Sequence, residues 1–245
     1  MNEILKSLHD RKSVRAYQPQ DISPEDKRAI IEAALQAPSA GNMNLYTILD
    51  ITDSKIKEEL SRTCDNQPFI KTAPLCLVFC ADYKRWYDAF CSAGDEVRRP
   101  DAGDLFLAQA DALIAAQNAV IAAESLGIGS CYIGDIIENY EEHVRLLSLP
   151  KYVVPAAFLV FGIPTEQQKN RKKPPRFKAE DIVHENGYDL NKAGRMKEML
   201  SSREGYEDEE LKGFINRFCG RKWNSEFSKE MSRSAWEIIK NWCEE

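Results

Sequence analysis

The chain has 245 residues, of which 43% are hydrophobic, and a formal net charge of -6. Its length and composition predict a globular protein with a substantial core. The negative charge argues against general binding of nucleic acids or anionic membranes, because either function needs a basic surface field. The N-terminus carries acids and no long apolar core, and we expect the other apolar stretches to be interrupted short of a membrane span. We therefore predict a cytoplasmic protein that binds neither nucleic acid nor membrane.

Helix and strand signals alternate in the first third of the chain. An amphipathic helix over NEILKSLHDR is followed by a second helix, which Ser23 caps and Pro24 begins. YTILDIT then reads as a strand and residues 55–62 as a short charged helix. The run PLCLVFCAD is apolar enough for a strand buried on both faces, with Cys76 and Cys80 on the same face.

Residues 105–126 form an alanine-rich stretch without Gly or Pro, which predicts a closely packed central helix. Its weakly polar face predicts a partner that covers it, and a subunit interface would provide one. GSCYIGDI follows as a short strand or an extended segment, and PAAFLVFGIP as another buried strand. The basic run TEQQKNRKKPPR is typical of a solvated loop.

Strand signals disappear after about Tyr188, and the remaining chain is highly charged and helical. It nevertheless contains Trp223, Trp236 and Trp242, and side chains of that size need a surface that buries them. We predict a core over residues 1–188 and a helical extension over 189–245 that wraps across the core or a neighbouring subunit.

Familiar catalytic signatures are missing from the sequence. It has neither of the glycine-rich phosphate loops, no G-x-S-x-G elbow and no convincing Ser-His-Asp arrangement. The seven cysteines lack C-x-x-C spacing, and none of His9, His143 and His184 lies at helical spacing from another His or Cys, so we predict neither disulfides nor a metal site. Any anion must be held by side chains.

The segment RKSVRAY, residues 11–17, concentrates three cations near the N-terminus. Taken alone, such a basic run is more typical of a solvated helix end than of an anion site. The other motifs of the chain change that interpretation.

RKSVRAY, APSAGNMNLY, AAESLGIGSCYIGDI, PAAFLVFGIP, a basic loop ending in PPRF, and IVHENGY occur in this order. Together they resemble the FMN-dependent nitroreductase family, and more narrowly its larger NADPH-preferring branch of oxygen-insensitive nitroreductases and flavin reductases. The resemblance extends from about residue 7 to 190. It implies an α+β fold of three α/β/α layers, in which helices flank a mixed, mostly antiparallel sheet, with a helical C-terminal extension. It also implies a homodimer with FMN at the interface.

The resemblance assigns cofactor-binding roles to individual residues. Arg11, Lys12 and Ser13 match the anchors of the FMN phosphate, and Arg15 matches a cation at the pyrimidine edge of the flavin ring, where it would stabilise the anionic reduced flavin. The other matching positions are Ser39, Asn42, Asn44 and Gln67 at the ribityl chain or ring, Tyr132, Ile133, Gly134 and Asp135 along the ring, and Lys173 and Arg176 at the phosphate. For Asn42, a purely turn-forming role is an equal alternative.

The implied reaction moves a hydride from NADPH, with NADH as the alternative, through flavin N5 to a nitroaromatic, quinone or related acceptor. FMN carries the chemistry, so no catalytic side chain is implied. Candidates for the NADPH 2′-phosphate lie in the C-terminal region: Arg203, Arg217, Arg221 and Lys222. A flavin reductase with the same residues and a flavin-binding protein without turnover are the alternatives.

Overall fold

The computed structural model describes residues 1–94 and 96–244. They form two compact units: Met1–Arg171 together with the C-terminal segment from Glu230, and Lys172–Lys229. The boundaries therefore lie at 171/172 and 229/230, whereas the sequence interpretation divided the chain at 188/189. The difference arises because the last helix returns to the first unit.

A four-stranded antiparallel sheet with strand order β1-β2-β4-β3 forms the centre of the first unit. The strands are β1 (Tyr46–Asp50), β2 (Leu75–Asp82), β3 (Gly129–Ile133) and β4 (Val153–Gly162). The helices of this unit are α1 (Glu3–Asp10), α2 (Pro24–Leu35), α3 (Ser54–Thr63), α4 (Lys84–Ser92), α5 (Ala102–Ser125), α6 (Tyr140–Leu146) and α7 (Glu166–Asn170). This architecture confirms the α+β class with a mostly antiparallel sheet.

Strand β2 is buried along its whole length, and its alternate side chains enter two separate hydrophobic clusters. Leu77 and Phe79 face the cluster that contains α2 and α5, whereas Cys76 and Cys80 face the cluster that contains α3. Side chains alternate between the faces of a strand, so the sheet is covered on both sides. The predictions of a doubly buried strand and of two cysteines on one face are confirmed.

Helix α5 is the central helix of the cluster that faces α2. Its buried alanines, including Ala108, Ala112 and Ala115, have small side chains that permit close packing. By length and composition α5 could cross a membrane, so the expectation that every apolar stretch falls short of a span is wrong. Its buried face carries Asp104 and Asp111, and in this structure α5 is a core helix.

Local sequence accounts for several helix ends. The Ser23 side chain accepts a hydrogen bond from Asp26 N at 3.0 Å, and Pro24 occupies the first turn of α2, as predicted. The basic run after β4 departs from the prediction of a loop, because its first residues form α7. Thr165 caps this helix by accepting a hydrogen bond from Gln168 N.

The second unit is helical, as the sequence predicted for most of the region. Its helices are α8 (Ala179–Ile182), α9 (Leu190–Gly194), α10 (Met196–Glu204) and α11 (Asp208–Lys222). Helix α12 (Glu226–Cys243) begins here and continues into the first unit.

Within the first unit, Trp242 of α12 is 1% exposed and its ring packs edge-on against Tyr152, with centroids 5.6 Å apart. Earlier in the same helix, Arg233 forms an ion pair with Glu141 at 2.8 Å. Trp242 is buried, as expected, whereas Trp223 and Trp236 are 79% and 72% exposed in the single chain, and their burial against a neighbouring subunit stays a prediction.

Candidate cofactor site

RKSVRAY follows α1 and runs beside the start of β3. Ser13 pairs with Ser130 in a parallel bridge, and Val14 N donates to the Ser130 carbonyl oxygen at 2.9 Å. The approach requires glycine at position 129, because a Cβ there would lie 2.5 Å from Val14 Cγ2. The basic segment is therefore fixed against the sheet rather than left as a solvated helix end.

Arg11 has buried guanidinium nitrogens that the described residues do not satisfy. Its Nε and Nη2 have no hydrogen-bond partner in the part of the chain that the structure describes. The guanidinium carbon lies 6.0 Å from the centroid of the Tyr132 ring. A buried donor without an acceptor costs free energy, whereas an anion accepting from both nitrogens would remove that cost.

Arg171 supplies a second guanidinium that sequence reasoning did not identify. Its Nη2 donates to the carbonyl oxygen of Ser13, and its Nε is buried without a partner among residues 1–94 and 96–244. The Lys12 ammonium donates to the carbonyl oxygens of Lys169 at 2.5 Å and Arg171 at 2.6 Å. Lys12 thus fixes the backbone that carries Arg171, and two of its three donors are already used.

Cys131 on β3 lies near the other side chains of the basic segment. Burial raises the pKa of its thiol, while the charge of Arg15 and hydrogen bonds from Ser13 and Arg15 act in the opposite direction. Arg15 itself is exposed, and its backbone N donates to Gln168 Oε1 at 3.3 Å. Three of the predicted residues, Arg11, Ser13 and Arg15, therefore meet at β3. The Ser13 hydroxyl and the unsatisfied guanidinium nitrogens of Arg11 and Arg171 fit a phosphate dianion.

The predicted ribityl-contacting residues lie in the loop of residues 39–45, between α2 and β1. Ser39 Oγ donates to Asp111 Oδ2 at 2.8 Å and accepts from Asn44 N at 2.6 Å. The loop includes a 3-10 turn, Ala40–Asn42, and Asn42 and Asn44 adopt left-handed conformations with φ of 58° and 49°. Asn42 is exposed, while Asn44 Nδ2 lies 3.3 Å from the Tyr46 hydroxyl.

Gln67 and Asp135 form a direct pair. Gln67 Nε2 donates to Asp135 Oδ2 and to the Cys64 carbonyl oxygen, both at 2.8 Å. With both amide hydrogens used, Gln67 offers its Oε1 to a ligand as an acceptor. Asp135 belongs to the 3-10 turn Gly134–Ile137, directly after β3, so the turn brings the predicted ring-edge residues Gln67 and Asp135 together. Ile133, at the end of β3, is buried, and Gly134 has open space where a Cβ would lie.

Glu138 is a buried acid beside this pair that the sequence interpretation missed. It is 4% exposed, and its Oε1 has no hydrogen-bond partner among the described residues. Burial raises the pKa of Glu138 to about 7, and the neighbouring carboxylates of Asp135, Asp65 and Glu230 act in the same direction.

The remaining predicted residues belong to the second unit. Arg176 is exposed and donates to the Pro174 carbonyl oxygen at 3.3 Å, and Lys173 is half-buried. Arg203 pairs with Glu204 at 2.6 Å, and its guanidinium lies 4.1 Å from the Phe177 ring centroid. Their roles toward the cofactor stay predictions.

Arg203 also lines an apolar cavity of about 400 Å³ within the second unit, together with Phe214 and Phe218. Arg221 stacks on Phe218 at 5.5 Å. Both predicted NADPH arginines thus lie against aromatic rings, and their binding of a 2′-phosphate stays a prediction.

Metal chemistry has no candidate centre in the part of the chain that the structure describes. No group of three or more His, Cys, Asp or Glu side chains there is arranged to hold a metal ion.

Comparison with known proteins places these features in a family. Residues 8–163 match the model of the nitroreductase family. The chain is 35% identical to the FMN reductase [NAD(P)H] of Bacillus subtilis over 95% of this chain and 90% of that protein. It is also 35% identical to the oxygen-insensitive NADPH nitroreductase of Salmonella typhimurium, over 77% of this chain and 75% of that protein.

A solved structure agrees with the sequence relatives. The NADPH:FMN oxidoreductase of Vibrio harveyi, complexed with NAD⁺, superposes with a TM-score of 0.76 at 26% identity, covering 97% of this chain and 98% of that one. The Bacillus subtilis and Vibrio harveyi matches cover 95% and 97% of this chain and therefore extend into the helical C-terminal region. The resemblance drawn from RKSVRAY and the motifs that follow it is confirmed: this chain belongs to the nitroreductase family.

Proposed function

We propose that this protein is an FMN-dependent oxidoreductase that takes a hydride from NADPH or NADH and reduces a nitroaromatic, quinone or related acceptor. When bound, FMN supplies the hydride chemistry: it accepts the hydride at N5 and then passes two electrons to the acceptor in a ping-pong exchange. The named relatives, an FMN reductase and an NADPH nitroreductase, support this reaction class.

The observation that carries the proposal is the pair of unsatisfied guanidinium groups at β3. Arg11 and Arg171 together present three buried nitrogens without partners among the described residues. Ser13 belongs to the same cluster, since its carbonyl oxygen accepts from Arg171 and its hydroxyl lies near Cys131. Fork-shaped donors with a hydroxyl suit the terminal phosphate of FMN.

The remaining residues of the first unit would orient the cofactor. Arg15 supplies positive charge that stabilises negative charge on the pyrimidine edge. Gln67 offers an acceptor to a ring N–H, because its own hydrogens are directed to Asp135 and Cys64. The backbone from Tyr132 to Gly134 lies at the end of strand β3 and would place its N–H groups along the ring. No side chain is needed as a nucleophile.

A second candidate function for the same site is reduction of free FMN as the acceptor. The Bacillus subtilis relative is named an FMN reductase, which favours this alternative specifically. The two activities share every residue described above and differ in what enters the space above the ring.

The proposal includes a homodimer in the cytoplasm with FMN at the interface. Exposed apolar side chains on two neighbouring helices of the first unit support it: Ile4 (65%) on α1, and Phe106 (62%), Leu113 (42%) and Ile114 (42%) on α5. Such a surface is typical of a face covered by a partner.

The test is a visible spectrum of the purified protein, followed by anaerobic titration with NADPH and, separately, NADH. We expect a yellow protein whose flavin absorbance bleaches, more readily with NADPH. Subsequent addition of a nitroaromatic or a quinone should restore the absorbance. The rate of NADPH oxidation with each acceptor in turn, free FMN included, then ranks the acceptors. A colourless protein that takes up no FMN contradicts the proposal, and a flavin that stays oxidised would leave a flavin-binding protein without turnover.

A further inference from the structure

One buried carboxylate holds both ends of the loop of residues 39–45. Asp111, on α5, is 3% exposed. Its Oδ2 accepts from Ser39 Oγ at 2.8 Å and from Leu45 N at 3.2 Å, and its Oδ1 accepts from Ala40 N at 3.0 Å. These bonds reach both ends of the loop from a single side chain on a core helix.

The loop depends on such an anchor because its own backbone is intrinsically loose. Gly41, Asn42 and Asn44 all have positive φ, a conformation that costs non-glycine residues free energy and that short Asn and Gly segments exchange readily. The N–H groups of Ala40 and Leu45 bond to the carboxylate rather than to a backbone carbonyl. Hydrogen bonds to a charged acceptor are stronger than those to a neutral one.

Asp111 also determines whether the Ser39 hydroxyl can donate or accept a hydrogen bond toward a ligand. A hydroxyl has one hydrogen to donate, and here that hydrogen is directed to Asp111, while Asn44 N occupies one acceptor position at 2.6 Å. The remaining capacity of Ser39 Oγ is as an acceptor. A ligand group that meets it must therefore be a donor, such as a hydroxyl.

We propose that Asp111 is a positioning residue of the cofactor site: it fixes the conformation of residues 39–45 and holds Ser39 as an acceptor toward the ligand. Asp111 acts through the loop, and its own oxygens are directed to loop donors. The role toward FMN rests on the proposed function, whereas the ordering of the loop is a property of the protein alone.

The test compares Asp111→Asn with Asp104→Asn. Asp104 is the matched control, because it is a second buried carboxylate of α5 whose partners are Arg98 and the backbone N of Asp101, away from the loop. One readout is hydrogen exchange of loop amides in the FMN-free protein, and the other is the FMN dissociation constant from quenching of flavin fluorescence.

For Asp111→Asn we expect faster exchange at Ala40 and Leu45 and an FMN dissociation constant about tenfold higher, the effect of losing one charge-assisted hydrogen bond. Asp104→Asn should lower thermal stability and change neither quantity. Equal loop exchange in the Asp111 variant and wild type overturns the proposal, as does an opened loop with unchanged FMN affinity.

If wild-type protein binds no FMN, the proposed function fails, and the exchange measurement still decides whether Asp111 orders the loop. If Asp111→Asn does not fold, Ser39→Ala removes one of the three bonds. It should accelerate exchange at Asn44 and, to a smaller extent, at Ala40, and unchanged exchange at both overturns the proposal.

Discussion

Two polar segments are predicted to bind the cofactor: RKSVRAY and the loop of residues 39–45. They differ in whether their buried hydrogen-bonding groups have partners within the protein. At Arg11, guanidinium nitrogens are buried and left without partners among the described residues. In the loop, Asp111 accepts from Ser39, Ala40 and Leu45. Buried polar groups are normally satisfied, so the first pattern indicates groups reserved for a ligand and the second a frame that holds residues in place.

Arg11→Ala should have the largest effect. Two donors to a phosphate would be lost at about 1.5–3 kcal/mol each, which corresponds to an FMN dissociation constant raised about 100-fold or more. The FMN-free variant should be about as stable as wild type, because an unsatisfied buried group is removed as well. Calorimetric titration and thermal unfolding measure the two quantities. Arg28→Ala, an exposed arginine on α2, is the control, and a large loss of stability in FMN-free Arg11→Ala would instead make Arg11 part of the frame.

Arg171→Ala tests whether the same interpretation extends to the arginine that the sequence did not identify. One unsatisfied nitrogen and the bond to Ser13 would be lost, so FMN affinity should fall about tenfold. Parallel measurement of Arg176→Ala asks which arginine of the basic segment holds the phosphate. If only Arg176→Ala loses FMN affinity, Arg176 holds the phosphate, as the family resemblance implied, and Arg171 is excluded from the site.

Glu138→Gln tests whether the unsatisfied carboxyl oxygen of Glu138 belongs to a protonated side chain and not to a ligand site. The folded pKa of Glu138, about 7, lies above the ordinary value of 4.5, so wild-type stability should fall as pH rises from about 4.5 to 7 and level off above. The variant should match wild type near pH 5 and exceed it by about 2–3 kcal/mol near pH 8. Chemical denaturation at both pH values measures the difference, and a pH-independent difference contradicts a protonated Glu138.

Asn42→Gly should have the smallest effect. Its φ of 58° and its exposed side chain favour the turn-forming role, and glycine adopts that conformation without strain. We expect FMN affinity within about twofold of wild type and a stability change of a few tenths of a kcal/mol. A tenfold loss of affinity would show that the Asn42 side chain contacts the cofactor.

Much of the first unit could be predicted from sequence, because its elements carry local signals. The doubly apolar β2, the cap at Ser23 and the alanine-rich α5 all follow from residue type and spacing. The cluster of Arg11, Ser13 and Arg15 was found through its motif.

The missed residues depend on contacts between distant parts of the chain. Asp111 shares the face of Ala108 and Ala115 on α5, and a lone acid at that spacing was a usable signal, but its partners lie about seventy residues away. Arg171 was hidden in a basic run that resembles a solvated loop. What distinguishes it is the position of Ser13, which only the folded chain reveals.

The return of α12 to the first unit has a consequence for how this chain tolerates change. Residues 172–229 leave and rejoin the core within one polypeptide, so this unit is an insertion held at both ends by covalent connections. Because α12 carries Trp242 into the core, a stop codon anywhere in the insertion removes part of the first unit as well. Substitutions and length changes inside the insertion, by contrast, leave the terminal anchor intact. The chain can thus vary one unit while the other keeps its closing helix.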